Sequence, residues 1–257
     1  MFFETIAKVW QKGWRQLFIG VGNTLLISLI STIIGLLIGL LIGIIRTIPQ
    51  SKNPVLKVVK KIVNVILSIY IEVFRGTPMM VQAMVIYWGY AFIAGGQTLP
   101  LIPSALFIVS INTGAYMAEI VRGGIISIDK GQFEGAQAIG MNHFQTMVYV
   151  VIPQVLRNIL PSISNEFVIN IKDTSVLNVI GVAELFYQAT VLSKLTFEIF
   201  ATYAIISVMY LIMTFTITRL LRLFEKLLEG KNTYTIMGSQ SDPKAEIHIK
   251  SEGRDGN

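Results

Sequence analysis

The sequence predicts an all-α polytopic membrane protein with about five transmembrane helices, and three observations carry that prediction. Hydrophobic residues fill 53% of the 257 positions and charged residues only 14%, with a positive mean hydropathy, which is too apolar for a water-soluble domain of this length. Ile19 to Ile45 contains no charge and is long enough to span a bilayer with some tilt. The net charge of +6 comes from basic residues placed beside apolar stretches, the pattern of loops retained on the cytoplasmic side, and forms no single basic face for nucleic acid. The chain has no cysteine, and its two histidines, His143 and His248, are far apart, so neither a disulfide framework nor a metal cluster is expected. No short apolar stretch with a small-residue cleavage site opens the chain, so no cleaved leader is expected.

Residues Phe2 to Phe18 alternate Ile6, Val9, Trp10, Trp14 and Leu17 with Lys8, Lys12 and Arg15 at helical spacing, which predicts an amphipathic helix lying in the membrane interface. The first span follows, Ile19 to Ile45, with Gly35, Gly39 and Gly43 on one face to let another helix pack close. Arg46, Lys52, Lys57, Lys60 and Lys61, interrupted by Pro49 and Pro54, form a basic cytoplasmic loop. A second helix begins near Val58 and runs to Ala94, kinked at Gly76 and Pro78. Gly95 to Pro100 is an uncharged outer turn, and a third helix, Ile102 to Arg122, returns inward. A fourth helix, Val148 to Ile171, leads out despite Pro153 and Pro161. Lys172 to Glu198 forms an outer region with a short helix, and the fifth span is Phe200 to Thr218, closed by Arg219, Arg222 and Lys226. The expected organisation is therefore an interfacial segment (1–18), one transmembrane domain (19–226) and a polar, disordered cytoplasmic tail (227–257). Five spans place the N-terminus outside and the C-terminus in the cytoplasm.

The longest polar interruption is Asp129 to Pro161. Glu134, Gly135, Ala136, Ala138 and Gly140 set small residues behind one acid, so a short helix from Gln132 to Met141 can approach another surface closely. After nine further residues comes Val150-Val151-Ile152-Pro153. This order resembles the E-A-A loop of binding-protein-dependent ABC importers, with Glu134, Ala136, Gly140 and Pro153 in register and Gly135, Val150 and Ile152 replacing the usual residues.

Further stretches resemble one subgroup, the permeases of polar amino-acid ABC importers. Gly20 and Thr24 fit its G-x-x-x-T-L opening, Glu72 to Pro78 its E-x-x-R-G-T-P signature, Ala115 to Gly124 its A-Y-x-A-E-x-x-R-G-G segment and Lys172 to Ser175 its K-D-T-S region. The resemblance implies a multi-pass protein of a bacterial-type cell membrane, with two such chains, identical or related, forming a pathway for a polar amino acid. It also implies a cytoplasmic ABC ATPase bound at the loop through Glu134, Gly135, Ala136, Gly140 and Met141, and an extracytoplasmic substrate-binding protein. No G-x-x-x-x-G-K-[ST] phosphate loop is present, so ATP belongs to the partner; this chain is expected to hold no cofactor and to be no enzyme.

Five residues are candidates for substrate contact: Glu72, Thr24, Asn23, Glu166 and Asn165. Ionisable groups inside a bundle mark pathways, but they also pair with one another, so Glu72 with Arg75 one turn on reads equally as a structural ion pair. Glu119 and Arg122 repeat that spacing nearer the cytoplasmic end and suit structure or gating. Asn23 and Thr24 suit either ligand contact or bonding between helices. The competing function is a self-sufficient secondary amino-acid transporter, which predicts paired repeats with matching broken helices; none is visible. A membrane-anchored sensor would need a soluble signalling domain, for which the tail is too short.

Overall fold

The computed structural model describes residues 2–48 and 53–228, so Pro49, Lys52 and the polar tail beyond Leu228 lie outside the described residues. All regular structure among the described residues is helical. The first helix, α1 (Phe2–Thr47), has 46 residues and a length of roughly 69 Å at about 1.5 Å per residue. The expected amphipathic segment and first span are thus one continuous helix. Nothing between Phe18 and Ile19 stops it, because neither a proline nor a capping residue intervenes. Of the apolar residues expected on one face, Val9 and Leu17 are buried against the protein, while Trp10 and Trp14 stack with Phe18 on the exposed side.

α2 (Pro54–Gly76) starts on Asn53, whose side chain accepts from Val55 N, with Pro54 in the first turn where its missing N–H costs nothing. The expected kink is a full break. Thr77 is extended (φ −123°, ψ 147°), since the residue before a proline is driven out of the α region, and α3 (Met79–Ile93) begins afresh after Pro78. α4 (Leu101–Ile126) is followed by the short loop helix α5 (Lys130–Ala138) and by α6 (His143–Gln145), held by a reciprocal Asn142–Gln145 capping box. A π-helical turn, Thr146–Val151, leads into α7 (Ile152–Asp173); the wider turn ends just before Pro153, whose ring needs room beside the preceding carbonyls. After a 3-10 turn (Thr174–Ile180) come α8 (Leu185–Thr196) and α9 (Ile199–Leu228).

By length and composition, four helical stretches among the described residues suffice to cross a membrane: Phe2–Thr47, Leu101–Ile126, His143–Ile180 and Ile199–Leu227. The second expected span is the broken pair α2 and α3, of which the apolar Met79–Ile93 is shorter.

The molecule is assembled along α1, which contributes in turn to each of four apolar clusters. Val9 and Leu17 pack with Ile171, Leu185 and Ile205; Ile27 with Ala83, Ile108 and Leu177. Leu36 and Leu40 border the cluster of Val121, Met147 and Val155, and Ile42 meets Ile71 and Ala118. The central contact is α1 on α4, along the expected glycine face. A Cβ on Gly35 would stand 2.7 Å from Thr113 Cγ2, one on Gly39 2.6 Å from the Met117 carbonyl carbon, and one on Gly43 2.6 Å from Val121 Cγ1. Such close approach is how helices associate where lipid is as apolar as the side chains. A three-helix polar seam reinforces it: Thr113 donates to Asn170 Oδ1 (3.1 Å), and Asn170 Nδ2 to Thr32 Oγ1 (2.8 Å).

This packing predicts a graded series. Gly39→Val places carbon against backbone that cannot move aside and is expected to abolish recovery of folded, detergent-extracted protein. Gly43→Ala meets only side-chain atoms, of Val121 and Ile125, and should lower the thermal midpoint without abolishing folding. Gly22→Ala has nothing within 4 Å and should leave it unchanged or slightly raised, alanine being favoured in helices by up to about 1 kcal/mol. A normal midpoint for Gly39→Val would contradict the glycine seam.

Candidate functional site

Two regions gather the residues that sequence reasoning selects, and a third proves to belong to the fold. The last concerns Asn23 and Thr24. Gly20 lets the start of α8 approach, its missing Cβ lying 2.7 Å from Leu185 Cα. Thr24 Oγ1 accepts the Leu185 N–H at 3.2 Å, and Asn23 Nδ2 donates to Ala183 O at 2.7 Å. Thr24 is wholly buried and has no surface to offer a ligand. Beside them Glu184, also wholly buried, caps α8: its carboxylate accepts from Phe186 N, Tyr187 N and Tyr210 Oη. Burial pushes the Glu184 carboxyl above the usual carboxylate range, while these hydrogen bonds oppose the rise. The sequence motif here therefore seats α8 on α1, and Glu184, which the motif search passed over, is its cap.

The second region is the end of α2. Glu72 is exposed and closes one end of a groove of about 620 Å³ that runs along α2 past Lys57, Lys61, Asn64 and Ser68. Arg75 is exposed as well, and among the described residues no ion pair or hydrogen bond joins it to Glu72. The ion pair that this spacing allows is thus not formed. Arg75 instead lies over the ring of Tyr116 on α4, its Cζ 5.6 Å from the centroid, a cation–π arrangement that leaves the guanidinium N–H groups available. Its charge also acts on Glu119 and on the half-buried Glu166 of α7. Asn165 is exposed next to Glu166. The structure so gathers Glu72, Arg75, Tyr116 and, more loosely, Glu166, and separates them from Asn23 and Thr24. Below this site Glu119 accepts from Arg122 (2.8 Å) and pairs with Arg46 (3.5 Å), which also donates to Ser68 Oγ (3.2 Å); one carboxylate thereby ties α1, α2 and α4.

α2 has only one buried residue, Ile71, while Val58, Ile62, Val65, Ile66, Ile69 and Val73 are exposed. An apolar face of that extent marks contact with lipid or protein.

The remaining region is the polar loop. Asp129 accepts from Gly131 N and starts α5. Glu134 and Gly135 are exposed, and a Cβ on Gly135 would meet nothing within 4 Å. Ala136 points the other way, being buried against the protein, and Met141 is half-buried. Gly140 has φ +84° and ends α5: Met141 N bonds Ala136 O and Gly140 N bonds Gln137 O, the two bonds of a Schellman turn. Of the small residues behind Glu134, Ala136 faces inward and Gly140 makes the turn, while Gly135, Ala138 and Gly140 are exposed. Ile139 and Phe144, which sequence reasoning did not select, are 75% and 65% exposed and supply apolar contact area beside Glu134. The loop is rooted in the helices: Phe133 packs on the cluster of Ile125, Ile128, Met147 and Val151, and Gln154 and Asn158 of α7 donate to Gln132 and Ser127.

Comparison with known proteins gives the geometry a family. The chain is 39% identical over 158 residues to the glutamine transport system permease protein GlnP of Escherichia coli, covering 62% of this chain and 72% of that protein. It is 46% identical over 121 residues to the L-cystine transport system permease protein TcyB of Bacillus subtilis, covering 47% and 51%. The crystal structure of an amino acid ABC transporter with histidines superposes with a TM-score of 0.69 at 38% identity, covering 83% of this chain and 94% of that one. An inward-facing MetNI methionine ABC transporter gives 0.69 at 17% identity over 84% and 98%, a likeness of fold alone. Residues 35–230 match the family model for the binding-protein-dependent transport system inner membrane component, and the chain belongs to that family.

Proposed function

We propose that this chain is the permease subunit of an ABC importer that carries a polar α-amino acid, with recognition centred on Glu72 and Arg75. The observation that carries this reading is that the two opposite charges are neighbours on an uncovered helix face and do not neutralise each other. Side chains three residues apart on a helix lie about 5–6 Å apart at Cβ, the scale of an amino-acid headgroup. Glu72 takes the ammonium and Arg75 the carboxylate, each as a charge-assisted hydrogen bond. Glu166 and Asn165 form the wall of the pathway that the Arg75 charge reaches. The family, and the amino-acid systems among its relatives, support this substrate class.

A second permease chain covers the apolar face of α2 and closes the pathway. A soluble ABC ATPase docks on Glu134, Gly135, Ile139 and Phe144, and an external binding protein delivers the substrate. The rooting of α5 on α4, the π-helical turn and α7 lets motion at that dock reach the spans. The N-terminus lies outside, and α5 lies in the cytoplasm.

Orientation is read by single cysteines, which a cysteine-free chain accepts cleanly. Gln97→Cys is expected to label from outside in intact cells and Phe144→Cys only after permeabilisation; the reverse result inverts the topology.

Coupling is best tested at Gly135, because Gly140 substitutions also strain the αL turn. Gly135→Trp should leave the permease folded and in the membrane yet abolish most substrate-stimulated ATP hydrolysis. Parental stimulation in this variant would remove Gly135 from the dock.

Glu72→Gln and Arg75→Gln keep size and remove one charge each. Each is expected to raise the KM for uptake about tenfold, equivalent to about 1.4 kcal/mol, while basal ATP hydrolysis by the assembled complex persists. Unchanged uptake at limiting substrate in both variants would refute the recognition role.

A further inference from the structure

The break between α2 and α3 leaves backbone groups that a continuous helix would satisfy. The carbonyl of Phe74 would normally accept from the residue four positions on, but that residue is Pro78, which has no N–H. In an apolar medium such groups must find other donors. Thr77 Oγ1 donates to Val73 O at 2.8 Å. Phe74 O is served by side chains from outside α2: Gln82 Nε2 of α3 at 2.9 Å and Asn112 Nδ2 of α4 at 3.3 Å. Gln82 Nε2 also lies 2.9 Å from both Thr77 O and Thr77 Oγ1, and Asn112 Nδ2 donates to Gln82 Oε1 at 2.9 Å. Both amides are buried, with 7% and 8% exposure. Gln82 is the one amide in α3, and Asn112 lies between Ser110 and Thr113 in α4.

We infer that Gln82 and Asn112 are positioning residues for transport: a buried amide brace that holds the α2–α3 break in one geometry and so sets where Arg75 and Glu72 stand in the pathway. The brace grips Phe74, the residue next to Arg75, and fixes it to α4 one turn from Tyr116, over which Arg75 lies. No other described side chain donates to Phe74 O. Deleting the donors leaves that carbonyl unsatisfied beside the proline, and the break relaxes toward another arrangement. The role in substrate affinity rests on the recognition site proposed above; the role in holding the break does not.

The test uses the assembled transporter with its ATPase and binding protein. Gln82→Leu and Asn112→Leu are expected to raise the KM for uptake about fivefold or more with the maximal rate kept within about twofold, and the double variant should do little more than either alone, as for members of one network. A reporter cysteine at Gly76, where a side chain meets nothing within 4 Å, should label at a changed rate in both variants. A parental labelling rate at Gly76→Cys overturns the brace, and a parental KM overturns its positioning role in transport. Should Gln82→Leu fail to assemble, Asn112→Ala leaves the Gln82 bonds to Phe74 and Thr77 in place and carries the same two measurements. If the brace variants shift labelling and KM while Glu72→Gln and Arg75→Gln transport normally, the brace stands and the recognition site falls.

Discussion

The close approach of α1 and α4 is the constraint on which the remaining structure depends. Gly35, Gly39 and Gly43 bring one backbone against Thr113, Met117 and Val121 of the other helix. With no aqueous phase to drive apolar side chains together, the gain must come from van der Waals contact between surfaces that fit, and a seam of missing Cβ atoms provides it. Everything else attaches to this pair. α8 is seated on α1 at Gly20 and Thr24, α7 is bonded across both helices by Asn170, and α2 touches the protein chiefly through α4.

Polar groups occur where regular helix fails, and each failure has identifiable compensation. At Pro78 the freed carbonyls are taken up by Thr77, Gln82 and Asn112; at Pro153 a π-helical turn widens the backbone; at the start of α8 Glu184 accepts two amide hydrogens and a tyrosine hydroxyl. The exposed charges Glu72 and Arg75 are a different case. They are satisfied neither by each other nor by a buried partner, and they lie near the end of α2, just before its break. Irregular backbone at membrane depth is tolerated where its polar groups are satisfied within the protein, and here the buried amides of Gln82 and Asn112 supply the donors.

The loop helix α5 illustrates how one short motif divides its labour. Asp129 starts the helix, Phe133 and Ala136 anchor it, Gly140 stops it, and Glu134, Gly135 and Ile139 are left exposed. The anchor reaches the ends of α4 and α7 through Ile125, Ile128 and Val151. α4 also carries Glu119, which holds Arg46 and Arg122, and Tyr116, which carries Arg75. The loop and the charged end of α2 therefore share one rigid element.

The sequence by itself determined the all-helical membrane class, the family motifs, the glycine face of α1, the loop helix after α4 and the short helix before the last span, because these rest on composition, on period and on residues adjacent in the chain. It also placed Glu72, Arg75 and Glu166 among the residues to watch, since charges in apolar runs stand out without a structure. Local pattern could not decide partners. Whether Glu72 pairs with Arg75 depends on Tyr116, forty-one residues further along the chain, and the fate of Thr24 depends on Leu185. The break at Pro78 was legible as a kink, but its brace was not, because Gln82 and Asn112 become meaningful only when three helices converge on one carbonyl. Likewise the continuity of α1 through Phe18 was hidden by its change of character from amphipathic to apolar, which alters what surrounds a helix without altering its backbone bonds. Covalent neighbours set the elements, and packing between distant helices decided which polar groups were consumed by the fold and which were left exposed.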